Sequence, residues 1–289
     1  MLSLSMKKEN FIGNYSPLPK MKFMLPEIHQ TTAQYSNFPV LEAIETMTND
    51  AKEGFGLYSY KHLQLCPQTP DVYCESLLSS IHKRLPDTQL RLHANIRVST
   101  ARKVIDVSNY GVHTRDYFKR ISDLSRYISA PTYSAHSGRR NASLAKLFHQ
   151  WEQIQLMFDC PVLIEGMYPS QKEDYFINSW NEYVQLMHSG CPYALDLSHL
   201  NIVAKHEGKR PQTVYDLVCH PNCLEIHLSH NNGNTDAHRS LSATHWKNVW
   251  WKESWLSGLK HRSSLPVHFS EGMLHARSHK YNRKMTIKT

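Results

Sequence analysis

The chain has 289 residues, 40% of them hydrophobic, which is enough for one sizeable core. No stretch approaches the roughly 18 consecutive apolar residues of a membrane span. At the start, Met1-Leu2-Ser3-Leu4-Ser5-Met6-Lys7-Lys8, charge follows a very short apolar run, the reverse of a secretory signal, so a cytoplasmic protein is expected. The net charge of +8 suits an acidic partner such as nucleic acid, an acidic peptide or a phosphorylated metabolite.

Residues 1–35 are polar and proline-marked (Pro17, Pro19, Pro26) and read as an irregular lead-in. Residues 36–275 read as one catalytic domain, and 276–289 as a basic tail carrying Lys280, Arg283, Lys284 and Lys288. In chain order, the first candidate strand of the domain is Phe55-Gly56-Leu57-Tyr58. A helical period covers 72–85, and the strand Leu90-Arg91-Leu92-His93 follows. Helix 116–128 precedes Thr132-Tyr133-Ser134-Ala135-His136, and helix 143–157 precedes Val162-Leu163-Ile164-Glu165. In 174–187, Tyr175, Phe176, Trp180, Tyr183, Val184 and Met187 recur at helical spacing, and Gly190 and Pro192 end that helix. The last candidate strands are Tyr193-Ala194-Leu195-Asp196, Leu224-Glu225-Ile226-His227 and Val267-His268-Phe269-Ser270-Glu271. Short apolar strands alternating with helices predict an α/β fold with a parallel sheet, here a (β/α)8 TIM-type barrel. No glycine-rich phosphate loop follows any strand, which argues against a dinucleotide or nucleoside triphosphate fold.

The six cysteines are scattered, with no Cys-x-x-Cys pair, and read as ordinary thiols. The 19 histidines are the unusual count. Strand after strand ends in a metal-capable side chain: His93, His136, Glu165, Asp196, His227 and Glu271. His199, Asp236 and His238 follow strands within a few residues. In a (β/α)8 barrel all strand C-termini open into one mouth. Imidazoles and carboxylates meeting there without cations would repel one another or stay unsatisfied. Nine ligands are too many for one ion, so two or three divalent metals are expected; zinc, iron and manganese all accept mixed nitrogen and oxygen ligands. His230 reads as a loop residue, His268 as structural, and Trp246, Trp250, Trp251 and Trp255 as core; Arg139 and Arg140 are candidates to clamp an anion.

This ligand order resembles the endonuclease IV-like branch of the xylose isomerase-like barrels, which carry His, His, Glu, Asp-x-x-His, His, Asp-x-His and Glu. Within it, Gly190 to Ala204, Glu225-Ile226-His227-Leu228-Ser229-His230 and Asn234-Thr235-Asp236-Ala237-His238 look most like the multinuclear non-haem iron-dependent oxidases. The chain departs from that pattern in having His199 where those oxidases carry Asn, a residue in which it matches the DNA-repair nucleases. The resemblance implies an oxidase with two or three irons that uses O2 to modify a ribosomally made peptide, at cysteine. Glu165, His199 and Asp236 are then expected nearest the chemistry, and a partner protein delivers the precursor peptide. Three alternatives stand beside it: a zinc phosphodiesterase acting on abasic DNA, a single-metal sugar or sugar-phosphate isomerase or epimerase using Glu165, Asp196, His227 and Glu271, and an inactive binding scaffold.

Overall fold

In the computed structural model, which describes residues 26–50, 58–100 and 104–276, eight parallel strands close into a barrel. In chain order the elements are β1 (Ile28–Thr31), β2 (Tyr35–Ser36), α1 (Val40–Asp50), β3 (Tyr58–Leu65), α2 (Glu75–Arg84), β4 (Gln89–Leu92), α3 (Arg115–Tyr127), β5 (Tyr133–His136) and α4 (Leu144–Gln155). They continue with β6 (Val162–Glu165), α5 (Trp180–His188), β7 (Tyr193–Asp196), α6 (Leu197–Glu207), α7 (Pro211–Cys219), β8 (Cys223–Leu228), α8 (Ala243–Asn248), α9 (Lys252–Lys260), β9 (Val267–Ser270) and β10 (His275–Ala276). The barrel runs β1-β3-β4-β5-β6-β7-β8-β9, and β10 pairs with β2 in a separate two-stranded ribbon. The predicted (β/α)8 barrel is what forms. Among the described residues, no helix is long and apolar enough to cross a membrane.

Strands such as Val162-Leu163-Ile164-Glu165 are buried along their whole length, because the helices cover the outer face and side chains fill the lumen. Helix starts follow from capping. The hydroxyls of Ser143 and Ser179 accept from the backbone N–H of Lys146 and Glu182 at α4 and α5, and the carboxylate of Asp196 accepts from Ser198 and His199 at α6. Trp251 and Trp255 are buried, and Trp246 packs against both at ring distances of 6.1 and 5.3 Å. His268 is buried where it accepts the Trp255 indole N–H at 3.1 Å.

Three local expectations need correction. The lead-in is not irregular throughout: Ile28–Thr31 supplies the first barrel strand, hydrogen-bonded to both β3 and β9, so the barrel begins before residue 36. The strand expected at Phe55-Gly56-Leu57-Tyr58 begins at Tyr58 and runs to Leu65; residues 55–57 lie outside the described residues, as do Pro17, Pro19 and the tail lysines and arginine. The helix expected over 174–187 starts at Trp180. Tyr175 and Phe176 belong to the preceding loop, where Phe176 is buried under the Arg140 guanidinium, 4.9 Å from its ring centroid. Their spacing mimicked a helical stripe because a buried loop also needs apolar anchors.

Candidate metal centre

All nine side chains anticipated from strand ends lie at the barrel's C-terminal mouth. His136, Glu165 and Asp196 are the last residues of β5, β6 and β7, His227 lies in β8, and His93 and Glu271 come just after β4 and β9. Because α6 starts directly at Asp196, its first turn swings His199 back over the mouth. Asp236 and His238 arrive from the loop after β8.

The contacts are short and overlapping. Glu165 Oε2 lies 3.3 Å from His227 Nδ1 and 3.6 Å from His93 Nε2, while Glu165 Oε1 lies 3.8 Å from His199 Nδ1 and 4.0 Å from His136 Nε2. Glu271 reaches His227, His93 and His238 at 3.4, 3.8 and 3.8 Å. Asp236 Oδ2 lies 2.8 Å from His238 Nε2 and 3.4 Å from His199 Nε2. Three groups place their ligand atoms within 4.8 Å of one another: His93, His227 and Glu271; His93, His136 and Glu165; and Glu165, Asp196 and His199. Asp236 and His238 stand outside these groups and connect through His199 and Glu271.

Much of this proximity is not hydrogen bonding, although His199 Nε2 and Asp236 Oδ2 do bond at 3.4 Å. Glu165 Oε2, Asp196 Oδ2, His227 Nδ1, Asp236 Oδ1, His238 Nδ1 and Glu271 Oε1 are all buried without a hydrogen-bond partner among the described residues. His227 Nδ1 lies within reach of two carboxylates yet is angled to bond neither. Leaving six such atoms orphaned would be costly, and lone pairs converging on shared points are what divalent cations require. The donor set therefore fits metal ions.

Charges in the metal-free cluster divide unevenly. Burial pushes His93 down to about 3. Burial also opposes the cations of His227 and His199, but Glu271 and Glu165 hold His227, and Asp196 and Asp236 hold His199, well above the usual imidazole range. His238 is raised to about 9 against the effect of burial, chiefly by Asp236, and His136 is raised by Asp106. Burial lifts Glu271 to about 7, with Glu165 adding to the effect; Glu165 stays low despite burial because His227 and His93 surround it. The protons shared in this cluster are those a bound cation would displace.

Sequence reasoning missed the residues behind the ligands. Ser134 Oγ lies 2.7 Å from His93 Nδ1, the Gly166 carbonyl 2.8 Å from His199 Nδ1, and Asp106 3.5 Å from His136 Nδ1 while accepting from Asn95 Nδ2 at 2.9 Å. Glu225, Gln64 and Arg91 sit deeper in the lumen. Glu225 had a legible signal, since it lies two residues before His227 on the same strand face; Asp106 and Asn95, on the long loop after β4, had none.

The cavity above the ligands has a volume of about 440 Å³, with Met167, Tyr168 and Tyr175 on one wall and Gln68 and Arg97 among its other lining residues. The Tyr168 ring rests 4.7 Å from His199. Neither candidate clamp arginine is unpaired: Arg139 pairs with Glu173 at 2.7 Å, and Arg140 with Glu182 at 2.9 Å and Asp174 at 3.2 Å. His230 is apart from the cluster, stacked 3.9 Å from His245. The six cysteines are free thiols, and Cys219 and Cys223 fall on different elements.

No family model and no curated protein matches the chain. Solved structures share its architecture. A D-tagatose 3-epimerase-like protein superposes with a TM-score of 0.60 at 10% identity, covering 90% of this chain and 96% of that one. An AP endonuclease, family 2, from Brucella melitensis gives 0.57 at 12% identity, covering 88% and 95%; a D-psicose 3-epimerase gives 0.56 at 12%, covering 84% of each. At such identities the likeness is one of fold, and the structural neighbours include epimerases, an AP endonuclease and a xylose isomerase domain protein from Planctomyces limnophilus.

Proposed function

We propose that this barrel mouth is a multinuclear iron centre holding two or three ions, and that the protein is an iron-dependent oxidase acting with O2 on cysteine in a ribosomally made peptide. The observation that carries the multinuclear reading is ligand sharing: His93 and Glu165 each belong to two of the three overlapping groups. A single-ion isomerase would employ Glu165, Asp196, His227 and Glu271 and leave five further buried or half-buried ligands, His93, His136, His199, Asp236 and His238, without a role. Charge supports the same reading. Glu165, Asp196, Asp236 and Glu271 would balance two divalent cations; a third would leave two positive charges, of which a substrate thiolate would cancel one.

Ferrous iron, held by these residues, would supply one-electron chemistry with O2. The nine ligands would hold the ions, and Met167, Tyr168 and Tyr175 line the cavity above them. The cavity is in the size range of a small-ligand or side-chain site rather than a duplex groove. The net charge of +8 suits an acidic leader, delivered by a partner protein. The oxidase chemistry itself rests on the motif resemblance around Asp196, His227 and Asp236.

A zinc phosphodiesterase acting on abasic DNA is the second reading, favoured by His199 lying within the cluster where the oxidases carry Asn. Anaerobic purification without chelator, elemental analysis and O2 uptake with a synthetic cysteine-containing acidic peptide test the first. Iron at two or more per chain with peptide oxidation seen by mass spectrometry is expected. Zinc with nicking of an abasic duplex transfers the assignment to the second reading, and a protein that binds no metal ends both.

A further inference from the structure

Below the ligands, the lumen contains a polar cluster that touches two of them from behind. Arg91 of β4 and Glu225 of β8 are not on neighbouring strands, so their 2.7 Å ion pair crosses the barrel interior, with both side chains at least 95% buried. Glu225 Oε1 also accepts from the Thr132 hydroxyl. Its other oxygen, Oε2, lies 3.4 Å from His227 Nε2 and accepts from Gln64 Nε2 at 3.2 Å. Gln64 Nε2 lies 3.4 Å from Ser134 Oγ, which itself lies 2.7 Å from His93 Nδ1.

Gln64 Nε2 also lies 3.2 Å from His227 Nε2, so that ring nitrogen has an amide and a carboxylate as neighbours, and the carboxylate decides where its proton points. Glu225, ion-paired to Arg91 and accepting from the Thr132 hydroxyl, is a carboxylate with acceptors only, so the His227 Nε2–H points to it. Gln64 then spends its two amide protons on Glu225 and Ser134, and Ser134 Oγ accepts the His93 Nδ1–H. This leaves His227 Nδ1 facing Glu165 and Glu271, and His93 Nε2 facing the same two carboxylates.

We propose that Gln64, through Glu225 and Ser134, is a positioning residue that fixes opposite tautomers in two neighbouring ligands, so that His227 presents Nδ1 and His93 presents Nε2 to the metals. The inference rests on the metal-centre reading. Its logic is that an imidazole with both ring nitrogens buried binds through the one its partner leaves free. One amide linking both partners also ties the two rings to a common support, which keeps the spacing of the ions they serve.

The test uses the full chain carrying nitrogen-labelled histidine, loaded with an NMR-active cadmium isotope. Cadmium coupling through Nδ1 of His227 and Nε2 of His93 is expected in the wild type. Gln64→Leu is expected to weaken cadmium binding by about 10- to 100-fold in chelator competition and to mix the nitrogens that couple. Ser134→Ala, a smaller perturbation should Gln64→Leu not fold, is expected to blur the His93 coupling and leave His227 unchanged. Wild-type coupling through His227 Nε2 or His93 Nδ1 overturns the inference while leaving the metal centre intact, as do folded variants with wild-type affinity and couplings. A wild-type protein that takes up no cadmium overturns the centre and the inference together.

Discussion

Replacing Glu165 by Gln is the sharpest test of ligand sharing. Its two oxygens lie 3.3 to 4.0 Å from four imidazoles, His227, His93, His199 and His136, more than any other carboxylate of the cluster reaches. In metal-free protein, removing one partner of a buried ion pair costs about 3–5 kcal/mol, and the lower end applies because His227 can shed its proton. For a chain of this size about 3 kcal/mol lowers the melting temperature by roughly 6–12 °C. With metal the gap widens. Losing even an outer-shell partner weakens metal binding by about 10- to 100-fold, and a 100-fold loss withdraws about 2.7 kcal/mol of linked stabilisation for one ion. The loaded proteins should therefore differ by about 6 kcal/mol and the chelated ones by about 3, with at least one ion fewer per chain in E165Q. Denaturant melts with and without chelator, paired with elemental analysis after gel filtration, measure both. Equal gaps under the two conditions, with unchanged metal content, would refute the shared role.

Gly166→Ala should destabilise by about 1–3 kcal/mol in urea melts, since an added Cβ would lie 2.4 Å from the Tyr183 ring. It should also weaken metal binding, because the displaced carbonyl is the partner of His199 Nδ1; an unchanged midpoint would contradict the packing. His230→Ala should leave metal content unaltered and His238→Ala should lower it, as elemental analysis will show, because the first ring stacks on His245 and the second lies between Asp236 and Glu271. Burial lowers His268 to about 3, so the unfolded chain takes up its proton near pH 6.5 and the folded chain does not. The stabilisation that His268 provides by staying neutral is full above pH 6.5 and is lost as pH falls toward 3, at up to about 1.4 kcal/mol per pH unit. Denaturant melts of chelated His268→Asn across that window should show the wild type losing its advantage as acid is added; parallel curves would sink this assignment.

The sequence showed the site more clearly than it showed the barrel's first turn. A strand of four buried residues ending in Glu165 or Asp196 is visible because apolar runs stop abruptly at a charge. The first barrel strand, Ile28-His29-Gln30-Thr31, is buried along its length yet carries one apolar residue, so hydrophobic periodicity cannot find it. Two of its three polar side chains are satisfied across the chain: Thr31 donates to the Ser270 carbonyl at 3.0 Å, and His29 Nδ1 meets the Ser59 carbonyl at 3.2 Å. The same reason hides Gln64 and Arg91, which look like surface residues until the barrel closes around them. Tyr175 and Phe176 misled in the opposite direction, supplying helical spacing where the chain forms a loop.

Backbone conformation adds an argument independent of ligand chemistry. His238 sits at φ 39°, in the left-handed region where a side chain costs about 1–3 kcal/mol. Such strain persists where the surroundings over-determine it, and here they do. His230 and Arg239 exchange backbone hydrogen bonds at 2.8 and 2.9 Å, closing the loop that carries Asp236 and His238, and Met273 N–H donates to the His238 carbonyl at 2.7 Å. The two loops come so close that a Cβ on Gly272 would lie 2.6 Å from the Arg239 carbonyl oxygen, so a glycine directly after Glu271 is a steric condition of their contact. What this clamping achieves is to bring His238 Nδ1 within 3.8 Å of Glu271 and His238 Nε2 within 2.8 Å of Asp236, with no hydrophobic gain at His238 itself, which stays partly exposed. Strain held in place to converge charged and imidazole groups agrees with the proposed metal centre, in which a divalent cation bound between them would offset the cost.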